Sequence, residues 1–203
     1  MGSEMCIRDS GCVIPVQAVV DQPAEIVVSL EAESVLVNLG DSTQLQVLTP
    51  ISGVTYEWSP AEYLSCTDCP NPTVTPTESI TYSLVVTDTL TGCQVEENVV
   101  ITVTKNYDVF IPNAFTPNDD NINDVIMIYA GVGVSTIRSF MIYDRWGELV
   151  YEATDFQPND PLYGWDGRYK GKRLNPAVFV YYAEIEFVDG QVIPFKGDVS
   201  LVR

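Results

Sequence analysis

Apolar residues recur at every second position in one short stretch after another. A chain written this way can bury them only as strands that each give one face to a core. Val35, Val37 and Leu39 alternate, as do Leu45 and Val47, then Val54, Tyr56 and Trp58, then Tyr82, Leu84 and Val86, and then Val99, Ile101 and Val103. Turn-forming clusters separate these runs: Leu39-Gly-Asp-Ser-Thr43, Pro50-Ile-Ser-Gly53 and Thr89-Leu-Thr-Gly92. Roughly seven short strands within ~80 residues predict a β-sandwich of immunoglobulin-like type, with Trp58 as its core aromatic.

A second set of alternating runs follows at 108–111, 125–129, 136–143, 148–152, 177–188 and 191–202. Asp189-Gly190, between two of these runs, predicts a two-residue type I′ hairpin, which needs positive φ at both residues. Asp144-Arg-Trp-Gly-Glu148 predicts a longer hairpin loop with Gly147 left-handed. No stretch carries a helical period. The fold class expected is all-β: two tandem antiparallel β-sandwich domains. The uncharged run Val125–Ile137 is broken by Gly131 and Gly133 and is too short for a bilayer, so no membrane-spanning segment is expected.

Charge divides the chain where the strands do. Among 203 residues there are 28 acidic and 10 basic side chains and no histidine, a formal net charge of -18. Residues 11–104 hold twelve carboxylates and no Lys or Arg, whereas 105–203 hold fourteen carboxylates and nine basic residues. The boundary is placed at 104–107, giving domains at 24–104 and 105–203. Without histidine a Ser-His-Asp or Cys-His nucleophilic site, an HExxH zinc site and an imidazole switch are excluded. So acidic a chain repels phosphate backbones, and nucleic acid is not an expected partner. No catalytic residue and no cofactor is assigned, and the chain is not expected to be an enzyme.

Residues 1–10 fit neither half. Gly2-Ser-Glu-Met-Cys-Ile-Arg-Asp-Ser10 lacks the apolar core of a signal peptide and reads as the translation of a sequencing adapter, or as a vector scar. Gly11-Cys12 with Ala18-Val-Val20 is echoed by Gly92-Cys93 with Asn98-Val-Val100, so residues 11–23 read as the tail of a preceding, truncated repeat. The chain is thus expected to be the C-terminal part of a longer protein.

Cys66-Thr-Asp-Cys69 has CxxC spacing, but Pro70 and Pro72 forbid the helix that a thioredoxin-type motif opens, and a zinc site lacks its further ligands. A structural disulfide in an exported protein is the favoured reading. Closing Cys66 to Cys69 is worth about 2 kcal/mol by chain entropy, and pairing either with Cys93 about 3.5. The local turn favours Cys66 with Cys69, and Cys93 is the alternative partner. Asn118-Asp-Asp-Asn-Ile-Asn-Asp124 is dense in side-chain oxygens, and Asp119, Asp120, Asn123 and Asp124 are candidate calcium ligands. The segment fails the EF-hand pattern, since Asp124 and Ala130 stand where Gly and Glu are required, and a turn of Asx hydrogen bonds competes with the calcium reading. Arg168-Tyr-Lys-Gly-Lys-Arg173 is the one basic cluster, an interaction patch or a solvated loop. Trp146 and Trp165 are a candidate sugar platform or turn and core anchors.

The second half carries a set of motifs in order: Val109-Phe-Ile-Pro-Asn-Ala-Phe-Thr-Pro-Asn118, Asn123-Asp124, Ile142-Tyr-Asp-Arg-Trp-Gly-Glu-Leu-Val-Tyr151, Gly164-Trp-Asp-Gly167, Asn175-Pro-Ala-Val-Phe-Val-Tyr181 and Lys196-Gly-Asp-Val-Ser-Leu-Val-Arg203. Together they resemble the gliding motility-associated C-terminal domain, the type B sorting domain of Bacteroidetes type IX secretion cargo. Asn118-Asp-Asp-Asn121 departs from the family's Asn-Gly-Asp-Gly, and Ala177 from its Gly. The preceding segment resembles the PKD-like or Ig-like repeats found before such domains.

What the resemblance implies is export through the periplasm to the cell surface or medium. The type IX outer-membrane machinery is the partner, the terminal domain the sorting signal and the Ig-like domain a stalk. The exposed turns are then the expected recognition surface: Thr116, Pro117 and Asn118; Arg145, Trp146 and Gly147; Trp165, Asp166 and Gly167; Lys196, Gly197 and Asp198. The alternative is a calcium- or glycan-binding adhesin module facing extracellular glycans or surfaces.

Overall fold

The computed structural model describes residues 26–48, 52–120 and 122–203 in full. Before residue 26 it describes only the backbone pairing of β1 (Glu4–Met5) with β4 (Val16–Gln17) and of β2 (Arg8–Asp9) with β3 (Cys12–Val13). That pairing apart, the expectations for 1–10 and 11–23 lie outside the described residues.

Two β-sandwiches follow one another. The first contains β5 (Ser34–Asn38), β6 (Thr43–Gln44), β7 (Val54–Ser59), β8 (Thr73–Val74), β9 (Ile80–Asp88) and β10 (Gln94–Thr104). Its main sheet has the order β5-β10-β9-β7, antiparallel except that β5 runs parallel to β10. The β6–β8 pair and the bridges Leu30–Val47 and Leu64–Val74 lie against it. The alternation explains the core: Val37, Trp58, Tyr82, Leu84, Val86, Val99 and Ile101 all point inward with Leu45, Val47 and Val74. Burial pushes the Tyr82 hydroxyl up to about 12, and it donates to the Glu62 carbonyl at 2.6 Å.

The second sandwich contains β11 (Val109–Phe110), β12 (Ala114–Phe115), β13 (Tyr129–Ala130), β14 (Val134–Tyr143), β15 (Leu149–Phe156), a 3₁₀ turn at Pro161–Tyr163, β16 (Arg168–Tyr169), β17 (Lys172–Arg173), β18 (Ala177–Phe187) and β19 (Val192–Leu201). Five strands form its sheet in the order β12-β19-β18-β14-β15, with β12 parallel to β19. One face packs Ile137, Phe140, Ile142, Phe179, Ala183, Ile185 and Val199 against Ile126, Ile128 and Trp165 from the connecting segments. Among the described residues no helix is long and apolar enough to cross a membrane.

The two hairpin turns share one design. In each, a three-residue loop is closed by a pair of backbone hydrogen bonds: Asp144 and Glu148 (2.9 Å) with Gly147 to Asp144 (3.0 Å), and Phe187 and Gln191 (2.8 Å) with Gly190 to Phe187 (2.9 Å). Gly147 has φ +81° and Gly190 φ +80°, as a type I turn with a left-handed bulge residue requires. Asp189 does not have positive φ, so the type I′ turn expected at 189–190 is not formed. The loop takes in Val188 as well, and the Asp189 carboxylate turns toward the segment that follows β10.

There Asp189, its side chain 4% exposed, accepts from Lys105 Nζ at 2.9 Å and from the Tyr107 hydroxyl at 3.1 Å. Burial opposes its charge, but the hydrogen bonds from Lys105, the Gln191 amide and Tyr107 outweigh this and hold its carboxyl below the usual range. A carboxylate whose folded pKa is depressed stabilises above its unfolded pKa of about 3.9, and the contribution is lost as pH falls through the folded value. Asp189→Asn is therefore expected to lower the melting temperature by a few degrees at pH 7 and to leave it unchanged near pH 2. Thermal unfolding of both proteins across that range is the check. An equal loss at both pH values would mean that shape rather than charge matters there.

Candidate functional site

Strand register gathers the candidate loops. Tyr143 lies opposite Val180, Ala177 opposite Leu201, and Phe115 beside Leu201, so the exits of β12 and β14 and the entry of β18 share one end of the sheet. The loops at 116–125, 144–148 and 164–174 therefore meet there.

The first loop is built on its own carboxylates. Asp124 Oδ1 accepts the Asn118 and Asp119 amides, each at 2.7 Å, and Asp120 accepts the Ile122 amide at 2.8 Å and Asn118 Nδ2 at 2.9 Å. The Thr116 amide donates to the Asn123 carbonyl at 2.8 Å. Asp119 stands at φ +67°, so the left-handed backbone that suits glycine is kept here by an Asp, one of the residues that tolerate it. Its carboxylate is ion-paired with Arg173. Of the candidate calcium ligands, Asp119, Asp120 and Asp124 thus face amides or a guanidinium, and Asn123 contributes its carbonyl to the turn. Asp119 and Asp124 share a hollow of about 190 Å³ with Pro117, Asp166, Arg168 and Arg173. Among the described residues no three or more Asp, Glu or Cys side chains gather as a metal site would need.

In the second loop Asp144 Oδ1 accepts the Trp146 amide at 2.8 Å and the Glu148 amide at 2.9 Å, which fixes the turn from inside. Trp146 stands 80% exposed on it, with the Arg145 guanidinium 4.9 Å from its ring centroid. The hydrogen bonds to Asp144 leave the turn that carries this exposed aromatic little conformational freedom to lose.

The third loop corrects one expectation. Trp165 is 1% exposed and belongs to the core, packed against Phe115 and Phe179 at 5.4 and 4.8 Å between ring centroids. Its indole N–H donates to the Arg168 carbonyl at 2.9 Å, and its backbone pairs with Ile126. It is neither a recognition residue on the surface nor half of a sugar platform with Trp146. Gly167, at φ +73°, sits where a Cβ would come within 2.6 Å of Leu201 Cδ1 and 3.2 Å of Pro117 Cγ, so it and the buried Pro117 are packing residues. The exposed groups of these segments are Asn118 and Asp166.

The basic cluster turns out to be mortar between the loops. Arg168 pairs with Asp166 at 3.2 Å and Arg173 with Asp119, while Lys170 lies 4.0 Å from Glu148 and over the Tyr169 ring at 4.4 Å. The Tyr169 hydroxyl donates to Glu148 at 2.8 Å. Each bridge is solvent-facing and individually worth little, but together they tie all three loops to the β16–β17 turn.

Lys196, Gly197 and Asp198 also need correction: they are mid-strand in β19, not a turn. Gly197 lies opposite Tyr181, whose hydroxyl would be 2.5 Å from a Cβ at that position, so the glycine makes room for the ring. Burial, and then the charge of Asp198, push the Tyr181 hydroxyl up.

The outer face of the sheet beside these loops was missed. Val178 and Val180 are 54% and 50% exposed, next to Tyr143 and Tyr182, and Leu149 adjoins them across β14. The signal was present in Ala177-Val-Phe-Val-Tyr-Tyr-Ala183, which is apolar at consecutive rather than alternate positions and so gives apolar groups to both faces. In the first sandwich Cys66 and Cys69 are disulfide-bonded with Cα atoms 5.9 Å apart, and Cys93 is free and exposed.

Residues 109–201 match the family model of the CHU_C Type IX secretion signal domain. Similar solved structures include dimeric latent PorU from Porphyromonas gingivalis, 18% identical over 87% of this chain with a TM-score of 0.32, where the chain spans 20% of PorU. Three N-terminal domains of the bacteriophage RB49 Highly Immunogenic Outer Capsid protein are 15% identical over 86% of this chain and 58% of theirs, with a TM-score of 0.34. The fibronectin(III)-like modules of Clostridium thermocellum CbhA are 12% identical over 86% of this chain and 94% of theirs, with a TM-score of 0.28. None of these likenesses bears on what the chain does. No curated protein matches it.

Proposed function

We propose that residues 109–201 act as a type IX secretion signal, as their match to that family's model supports, and that the secretion machinery takes hold of the loop-bearing end through Trp146 and Arg145, with Asn118 and Asp166 beside them. A domain of this family directs its chain across the outer membrane to the cell surface or the extracellular space. In this proposal residues 24–104 serve as an immunoglobulin-like stalk and 105–203 as the sorting unit.

One observation carries the choice of surface: Trp146 is 80% exposed on a turn whose backbone is held by Asp144. Most binding energy at protein interfaces comes from a few residues, Trp, Tyr and Arg above all. Val178, Val180 and Tyr143 extend the same surface with apolar area, and Arg168, Lys170 and Arg173 beside it are already paired with carboxylates. Recognition by shape and aromatic contact follows, and it depends only weakly on salt.

Trp146→Ala in the full chain, fused behind a periplasmic signal peptide and expressed in cells with a working type IX system, is expected to accumulate in the periplasm, whereas the wild-type fusion is exported. Losing such an anchor typically costs 2 kcal/mol or more, roughly thirty-fold in affinity. Its melting temperature should barely change, because exposed substitutions usually stay within about 0.5 kcal/mol. Leu90→Ala, at a site in the first sandwich even more exposed than Trp146, is the control expected to export normally. Normal export of Trp146→Ala and of Arg145→Ala would sink this choice of surface.

A further inference from the structure

We propose that the second sandwich carries a socket for one corner of the first, so that the two move as a single rigid body. The corner is Leu39-Gly40, immediately after β5. Leu39 is 3% exposed, yet it belongs to the hydrophobic cluster of the second sandwich and not to that of the first. Leu39, Val134 and Phe187 line one hollow with Gly131, Val132 and Gly133.

The backbones meet as closely as the side chains. A Cβ on Gly40 would lie 2.6 Å from the Val132 carbonyl oxygen and 2.7 Å from the Gly133 nitrogen, and Gly40 is in addition at φ +89°. A Cβ on Gly133 would lie 2.9 Å from the Leu39 carbonyl oxygen. Contacts under 3 Å to backbone atoms cannot be relieved by turning a side chain, so glycine is needed on both sides of the joint. Leu39 N–H donates to the Thr104 carbonyl at 3.0 Å, tying the corner to the end of β10. Directly after β10, Lys105 and Tyr107 anchor the connecting segment to the second sandwich: both bond Asp189, and the Tyr107 ring packs edge-on against Phe187 at 4.6 Å.

The joint fixes direction. Val134 and Phe187 are paired at the socket end of the sheet, whereas Tyr143 and Val180 are paired at the loop end. The ten residues of β14 separate the two ends by about 30 Å. A rigid joint therefore holds the loop-bearing end pointing away from the first sandwich. This arrangement stands whether or not that end is the recognition surface.

Two glycines two residues apart provide the test. Gly131 has open space where a Cβ would be, and neither Gly131 nor Gly133 needs positive φ. The atoms that a Cβ on Gly133 would meet all belong to Leu39. Backbone ¹⁵N relaxation of the full chain is expected to give residues 26–104 and 105–203 one common rotational correlation time in the wild type and in Gly131→Ala. In Gly133→Ala the two halves should separate into two shorter correlation times, with the strand chemical shifts of each sandwich kept. Leu39→Asp should do the same, and if it unfolds the second sandwich, Gly133→Ala still decides. Independent tumbling in the wild type would overturn the proposal, as would a Gly133→Ala protein that tumbles like the wild type.

Discussion

Trp165→Ala should be among the most damaging substitutions in the second sandwich, lowering stability by about 3–5 kcal/mol and the melting temperature by roughly 10–20 °C. The residue is 1% exposed and closes the core beneath the loop-bearing end, against Phe115 on one side and Phe179 on the other. Alanine leaves a cavity the width of an indole and strands the Arg168 carbonyl that the ring N–H had satisfied. Trp165→Phe separates the two losses, since it fills most of the volume but still leaves that carbonyl unpaired, and about 1–3 kcal/mol is expected. Urea unfolding followed by circular dichroism measures both. A loss under about 1 kcal/mol for the alanine would show that the loops relax into the gap and that the end of the sandwich is not rigid. The contrast with Trp146 is sharp. Two Trp residues of one sandwich are expected to fail in different assays, Trp165→Ala in stability and Trp146→Ala in export.

That contrast also marks what the sequence could reveal. Alternation located the long strands of both sandwiches and their inward faces, because a period of two states directly which residues share a face. It identified Trp58 as core, since Trp58 is in phase with Val54 and Tyr56. Trp165 was not legible because it lies between Gly164 and Gly167 outside any alternating run. Turn residues surround it, and only its long-range pairing with Ile126 carries it under the sheet. Lys196-Gly-Asp198 misled for the opposite reason: a glycine flanked by charges reads as a turn unless its cross-strand neighbour, here Tyr181, is known to fill the missing side chain. Leu39 is the subtlest case. It continues the phase of Val35 and Val37, but the left-handed Gly40 ends the strand and leaves Leu39 to a different core. Periodicity specifies a buried face, and it does not specify which of two cores that face will meet. The basic cluster at 168–173 was legible as a charge run only, because its partners Asp119 and Glu148 lie far from it along the chain.

In the first sandwich the corresponding test is Trp58→Ala, expected to cost about 3–5 kcal/mol, more than removing the neighbouring disulfide. The disulfide closes a loop of four residues, and by chain entropy that is worth about 2 kcal/mol. Trp58 holds the same loop from within: its amide donates to the Thr67 carbonyl at 2.8 Å and its indole N–H to the Cys69 carbonyl at 2.9 Å. It is 2% exposed and packs in the cluster that contains Tyr82, Leu84 and Val74. The loop 65–73 is thus held by Ser65–Thr73 hydrogen bonds at its base, by the disulfide within it and by two hydrogen bonds from the buried Trp58, and this last fastening carries the core with it. Cys66→Ala with Cys69→Ala should leave the fold intact but lower its unfolding midpoint in urea. Trp58→Ala should lower it further even with the disulfide present. Cys93→Ser should change nothing, because that thiol is exposed and free. The ordering is the informative result. If removing the disulfide cost more than removing the indole, the bond would be holding the sandwich together rather than trimming a loop already secured by its core.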